Sequence, residues 1–110
     1  MDERRRFERI TVPEGAKIYI EDRLGKGLGP VRMIGRGGLL VETKEYFREG
    51  SIQHLTLVSE SEGIRRQVAL RVRYTSPEGV GFEFSNLEPD VAVEVGVILG
   101  RYYAANRPPK

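Results

Sequence analysis

The sequence predicts a mainly β fold, a small antiparallel barrel of about six strands followed by one C-terminal α-helix. Short segments in which apolar and polar residues alternate recur between turn signals over residues 16–84. Such alternation is typical of antiparallel strands that bury only one face. From Pro89 onward the apolar spacing becomes helical, which predicts a helix over residues 89–105.

Three segments show the strand alternation most clearly, at residues 16–20, 68–74 and 80–84. In each of them, apolar side chains at every second position point to one face, and the intervening residues point to the other. The first and the last of these segments set the limits of the predicted barrel, which therefore spans residues 16–84.

Other segments are less regular. Residues 24–30 contain three glycines and a proline, and this density of strand breakers predicts a loop or an irregular hairpin connection. The alternation slips between Ile52 and Leu55, which predicts a β-bulge at that point. Tyr46 and Phe47 are both predicted to anchor their connection in the core.

The predicted helix presents one continuous apolar face, formed by Val91, Val95, Ile98, Leu99 and Tyr102. Pro89 suits the first helical turn, and Asp90 suits the positive end of the helix dipole. Gly96 and Gly100 weaken the helix. Their small size would let the helix lie close to the sheet or to a second copy of the chain.

Composition limits the functional classes. The length of 110 residues suits one domain, 1–110, and the absence of cysteine excludes disulfides and cysteine-based zinc sites or catalysis. The only histidine, His54, has no motif that supplies a nucleophile or an orienting acid, so neither an enzyme nor a metal site is predicted. A net charge of +2 is too small for a general nucleic-acid binder.

The hydropathy pattern also bears on location. No apolar run approaches the roughly 20 residues that a membrane-spanning helix needs. The charged start of the chain lacks the apolar stretch of a secretory signal. We therefore expect a cytoplasmic protein that does not insert into membranes.

A basic segment precedes the first strand. Arg4, Arg5, Arg6 and Arg9 cluster in it, and three residues separate Arg5 from Arg9. Two guanidinium groups that converge on one point suit a phosphate or a guanine edge, because each offers a planar fork of donors. We therefore interpret residues 1–12 as a ligand-binding segment rather than a solvated tail.

A glycine-rich turn, Gly35-Arg36-Gly37-Gly38, follows the short apolar segment 31–34. Glycine permits positive φ and close backbone approach. Successive N–H groups in such a turn are able to form an anion-binding nest. A plain hairpin turn explains the same residues, so from the sequence both interpretations stay open.

Together these features resemble the PilZ domain family over nearly the whole chain. The stretch Arg4–Arg9 is similar to the family's RxxxR motif, with Arg5 and Arg9 as its two arginines. Residues 31–41 resemble the second motif, [D/N]xSxxG, with its following strand, and residues 79–84 resemble the closing strand. The resemblance implies a bacterial six-stranded barrel that binds cyclic di-GMP and needs no other cofactor.

The resemblance also implies roles for the motif residues: the two arginines contact phosphate and stack on guanine, and the second motif bonds guanine and phosphate. Here that motif departs from the pattern, because Met33 holds the Asp/Asn position and Gly35 the serine position. Arg36 is expected to supply a replacement phosphate contact. The expected ligand-binding residues are Arg4, Arg5, Arg9, Gly35, Arg36 and Gly38.

Two functions stay open at this stage. The first is a cyclic di-GMP receptor that relays the level of this second messenger to a partner protein of unknown identity. The second is a PilZ-like protein–protein adaptor that no longer binds the nucleotide, which Met33 and Gly35 favour. A nucleic-acid-binding barrel and an enzyme are disfavoured, and the chain is expected to be a monomer or a homodimer.

Overall fold

The computed structural model describes residues 9–103, in which seven strands precede one helix. The strands are β1 (Arg9–Thr11), β2 (Ile18–Glu21), β3 (Gly27–Gly35), β4 (Gly38–Val41), β5 (Ile52–Ser59), β6 (Ile64–Ser76) and β7 (Gly79–Phe84). The helix, α1, spans Pro89–Tyr103. Every strand pairing is antiparallel.

Six of the strands form a closed barrel. Their order is β3–β2–β5–β6–β7–β4, and the pairing of β4 with β3 closes the ring. β1 lies outside the ring, on the same side of β3 as β2. Both strands fit along the same edge of β3, because β2 pairs with residues 27–30 of β3 and β1 pairs with residues 33–35. The predicted six-stranded antiparallel barrel with a C-terminal helix is confirmed.

The inward side chains of the barrel and one face of α1 form a single apolar core. The helix contacts β1, β3 and β6. Its buried residues are Val91, Val95, Ile98 and Tyr102, which confirms the predicted apolar face. Gly96 and Gly100 lie on the exposed side, with no atom within 4 Å of a Cβ built on either. The expectation that they let the helix approach the sheet was therefore wrong.

Of the loop and the irregular hairpin predicted at residues 24–30, the structure has the hairpin, because β3 begins at Gly27 and pairs with β2 through a register shift. Gly29 has a φ of 151°, and a Cβ there would lie 1.9 Å from the carbonyl oxygen of Glu42. Only glycine fits this close approach of two backbones. Pro30 has no N–H, but its carbonyl accepts a hydrogen bond of 2.9 Å from the Glu42 N–H. The strand breakers therefore lie within a strand.

The predicted bulge in β5 was also wrong, because its pairing with β6 runs without a shift from Ile52 to Ser59. The apparent slip arises because Ile52 is 38% exposed rather than directed into the core. Tyr46 is 85% exposed and is not a core anchor. Phe47 is one, since its ring meets Phe82 edge-on at a centroid distance of 5.4 Å.

His54 lies exposed on β5. It lines a groove of about 560 Å³ between the β5–β6 surface and the β7–α1 connection, together with Gln67 and Asn86. Within residues 9–103, no helix is both long and apolar enough to cross a membrane.

Candidate functional site

The pairing of β1 with β3 joins the two segments that the sequence singled out. Arg9 lies directly opposite Gly35, and the next pair is Ile10 opposite Ile34. Ile10 and Ile34 are 4% and 0% exposed, so they face the core. Because neighbouring residues of a strand point to opposite faces, Arg9 and Gly35 lie on the outer face of the barrel.

The β3–β4 turn continues directly from Gly35. Arg36 is exposed in this turn, and the Gly37 carbonyl accepts a hydrogen bond of 2.9 Å from the Phe84 N–H. Gly38 opens β4 opposite Glu83 of β7. A Cβ at Gly38 would lie 2.0 Å from the carbonyl oxygen of Phe82. Glycine is therefore required there by the close approach of two strands.

The glycines of this turn do not have the left-handed conformation. The described glycines with positive φ are Gly15, Gly25, Gly29, Gly50, Gly63 and Gly79. A nest built by alternating right- and left-handed residues is thus not formed at Gly35–Gly38. Of the two interpretations of the turn, its backbone angles favour the hairpin that links β3 to β4.

Arg9 and Arg36 differ electrostatically from the neighbouring Arg32. Within residues 9–103, neither Arg9 nor Arg36 forms an ion pair, and both are exposed. Arg32 donates from Nε to Glu42 Oε1 at 2.6 Å across the β3–β4 pair. This end of the barrel therefore holds two cations whose charge is not balanced by a carboxylate in the described part of the chain.

A concave surface lies beside the arginines. Met33, on the outer face two residues before Gly35, pairs with Thr11 of β1 and with Leu40 of β4. These three residues line a depression of about 840 Å³, a size in the usual range of small-molecule sites. Its other lining residues are Val12, Leu28, Arg32, Glu42, Thr43, Lys44, Glu45, Pro77 and Glu78.

Four of the six predicted ligand-binding residues are described by the structure, and they share one end of the barrel. Arg9 and Gly35 are paired, Arg36 follows in the turn, and Gly38 begins the next strand. Arg4 and Arg5 lie outside the described residues. Whether any of these residues binds a ligand stays a prediction.

Sequence reasoning missed two parts of this surface. Leu40 lies in the strand that follows the turn, and only the register of that strand with β3 places it beside Met33. The ion pair of Arg32 with Glu42 was missed because a register shift lies between Val31 and Met33. Irregular pairing of this kind leaves no local signal in the alternation of the sequence.

The family model for the PilZ domain matches residues 3–100 of the chain. The chain belongs to the PilZ domain family. This membership covers both the segment that ends in Arg9 and the β3–β4 turn, so the two PilZ-like motifs lie within the matched range. A search of curated protein sequences found no significant match.

Solved structures share the PilZ fold of this chain at low sequence identity. YcgR from Escherichia coli in complex with c-di-GMP has a TM-score of 0.70 at 19% identity over 93% of the chain. The chain covers 47% of that YcgR structure, about half its length. The separate PilZ domain of YcgR with c-di-GMP has a TM-score of 0.67 at 18% identity, with 96% of this chain and 99% of that one covered.

A Legionella protein described as uncharacterized, Lpg0364, has the same fold, with a TM-score of 0.64 at 13% identity. The match covers 89% of this chain and 96% of the Legionella chain. At these identities the likeness concerns the fold. The ligand named for YcgR is a property of YcgR.

Proposed function

We propose that this PilZ domain binds cyclic di-GMP on the outer face of the barrel, between the segment that ends at Arg9 and the β3–β4 turn. One observation carries the proposal: Arg9 lies directly opposite Gly35, so residues from both motifs meet at one place. The c-di-GMP-bound YcgR structures of the same fold support the choice of ligand. Arg4 and Arg5 would complete the site from the preceding segment.

The exposed side chains of Arg9 and Arg36 are chemically suited to binding a phosphate. Arg9 and Arg36 are exposed, and a carboxylate neutralises neither of them within residues 9–103. Guanidinium groups bind phosphate oxygens through two parallel hydrogen bonds and stack on purine rings. Gly35 is buried and has no side chain that would block an anion held by Arg9.

Met33 and Gly35 reduce the expected affinity. A thioether is only a weak acceptor, and glycine has no hydroxyl. Each missing contact costs about 1–3 kcal/mol where its partner is left buried and unpaired. Two such losses correspond to a weakening of roughly a hundredfold or more, at about 1.4 kcal/mol per factor of ten. We therefore propose a receptor of lowered affinity, with Arg36 as a partial replacement.

The proposed output is a change in a protein surface. Nucleotide bound beside Arg9 would change the surface that the domain offers, and a partner protein would bind the altered surface; ligand-driven switches are common in signalling. We further propose that the chain acts without catalysis, in the bacterial cytoplasm, as a monomer or homodimer. We also propose that residues 1–110 form one domain with a ligand-binding segment at residues 1–12. Any function that in YcgR would need the part not covered by this chain is likewise a proposal.

A second candidate function is an adaptor that contacts another protein without nucleotide. The half-buried pair of Met33 and Leu40 on the outer face favours it, because apolar side chains suit a dry interface. The two candidates differ in one property, the affinity for cyclic di-GMP.

Isothermal titration calorimetry with cyclic di-GMP separates the candidates. We expect micromolar or tighter binding by the wild type and a loss of about a hundredfold or more in the Arg5→Ala/Arg9→Ala variant, since two charge-assisted contacts disappear. The matched control is Arg23→Ala/Arg48→Ala, because both arginines are exposed and form no ion pair within residues 9–103. Absence of binding by folded wild type would reject the receptor and favour the adaptor.

A further inference from the structure

Five residues on five strands follow one another in register across the outer face of the barrel. Thr11 lies opposite Met33, and Met33 opposite Leu40. Leu40 lies opposite Gly81, and Gly81 opposite Tyr74. We name these five residues the outer row. The row crosses β1 and then β3, β4, β7 and β6, which are four of the six strands of the closed barrel.

Most of the outer row is apolar or aromatic. Met33 and Leu40 are half-buried, and Tyr74 is 38% exposed. A Cβ at Gly81 would lie 2.2 Å from Cε1 of Tyr74, so the Tyr74 ring lies directly against the Gly81 backbone. Because Leu40 is the cross-strand neighbour of Gly81, the ring extends the apolar surface of Leu40 and Met33.

The outer row lies close to Arg9 and Gly35, within the reach of one nucleotide. Met33 is two residues from Gly35 on the same face of β3, which is about 7 Å at the usual strand rise. Arg9 is the partner of Gly35, and Thr11 the partner of Met33. A nucleotide whose phosphate is bound by Arg9 or Arg36 would therefore hold one of its bases over Met33 and Leu40.

Met33 and Leu40, the two residues beneath the proposed base, offer little that distinguishes purines by their edges. Guanine carries an N–H donor group that adenine lacks, so reading guanine there requires an acceptor. Leu40 offers none, and the Met33 sulfur is a weak one. Two of the three carboxylates that line the depression are held by cations, Glu42 by Arg32 at 2.6 Å and Glu45 by Lys26 at 3.5 Å. Stacking on a side chain is possible for every base, because every base has a π-face.

We propose that the outer row receives one purine base by stacking, and that Met33 makes the site tolerant of base identity. This inference rests on the proposed function, since it concerns the same ligand site. Arginine contacts to guanine O6 and N7 leave some preference for guanine. We therefore expect the affinities for cyclic di-GMP and for its adenine analogue, cyclic di-AMP, to differ by no more than about tenfold.

The test compares both nucleotides by calorimetry on the wild type and three variants of the full chain. Met33→Asn introduces an amide acceptor and should raise the preference for cyclic di-GMP by about tenfold or more. Met33→Leu keeps an apolar side chain and should leave the preference unchanged. Ile52→Asn is the matched control, because Ile52 is also a partly exposed apolar residue on a strand, 38% exposed, but away from the row.

Each outcome bears on a separate claim. A wild-type preference for cyclic di-GMP above about tenfold would overturn the tolerance and leave the receptor function intact. An unchanged preference in a folded Met33→Asn variant would overturn the role of Met33. Binding of neither nucleotide by folded wild type would overturn the proposed function and this inference together.

Discussion

The arginines at the two ends of the molecule have different surroundings. Three arginines on β6 and α1 are paired with carboxylates: Arg65 with Glu21, Arg66 with Asp90 and Glu94, and Arg101 with Glu62. At the β3–β4 turn, Arg9 and Arg36 form no ion pair within residues 9–103. The sequence singled out Arg9 and Arg36 through their motifs, but it did not show which of the other arginines are paired with carboxylates.

The difference teaches which charges hold the fold and which remain available to a ligand. Arg66 connects a strand to the helix, since Nη1 lies 2.8 Å from Glu94 Oε1 and Nη2 donates to Asp90. Such pairs have their hydrogen-bonding groups occupied by the protein itself. An exposed arginine without a carboxylate keeps all five donors for an anion. Substitutions at the two ends should therefore change different properties.

The largest expected effect among single substitutions is on affinity. Arg36→Ala should weaken cyclic di-GMP binding by about tenfold, the loss of one charge-assisted contact. The melting temperature should not change, because Arg36 has no ion pair in the described chain. Titration beside an Arg23→Ala control measures this. An affinity equal to that of the wild type would remove Arg36 from the site.

A smaller effect, on stability, is expected at the other end. Arg66→Ala should lower the melting temperature without changing nucleotide affinity, because it leaves Asp90 and the buried Glu94 oxygen without their cation. Arg73→Ala is the matched control, since Arg73 on the same strand pairs with Glu83 at 3.7 Å with both side chains about half exposed. Equal melting temperatures for the two variants would show that the Arg66 cluster does not stabilise the fold.

The smallest expected effect is a pH dependence. The hydrogen bond from Arg66 holds the pKa of Asp90 below its usual value. A carboxyl group with a lowered folded-state pKa stabilises the fold at pH values above its unfolded pKa of about 4, and this contribution is lost as the pH falls through the folded value.

Denaturant unfolding of wild type and Asp90→Asn at several pH values measures this contribution. The stability difference should stay constant above about pH 5 and shrink below about pH 4. A difference that is the same at pH 3 and pH 7 would contradict the lowered pKa.

The local sequence pattern predicted the barrel, the helix and the buried face of the helix, because alternation and helical spacing are properties of neighbouring residues. It did not predict that β3 starts at Gly27, because Gly29 and Pro30 fit a strand only through their contact with the distant Glu42. Tyr46 and Phe47 were indistinguishable as adjacent aromatics, and the packing of Phe82 decided between them.

Only part of the candidate site could be predicted from the sequence, because its segments are local motifs but the contact between them is not local. The Arg9 and Gly35–Gly38 segments were visible as motifs, but their meeting depends on the register of β1 with β3. The outer row was invisible, since it joins Thr11 to Tyr74 through strands whose order follows from closure of the barrel. Because register shifts occur in the pairing of β3 with β4 and of β6 with β7, the alternation in the sequence does not show which residues of the row lie opposite one another.

The place of β1 outside the ring has a mechanical consequence. Six strands hold one another in a closed cycle, whereas β1 is attached by three residue pairs with β3 and by its packing against α1. Tension applied to the chain ahead of Arg9 would strip β1 from β3 and expose Ile10, while every pairing of the cycle stayed in place. β1 would then detach from the closed barrel, and Arg9 would separate from Gly35, at a force too small to break the pairings within the barrel.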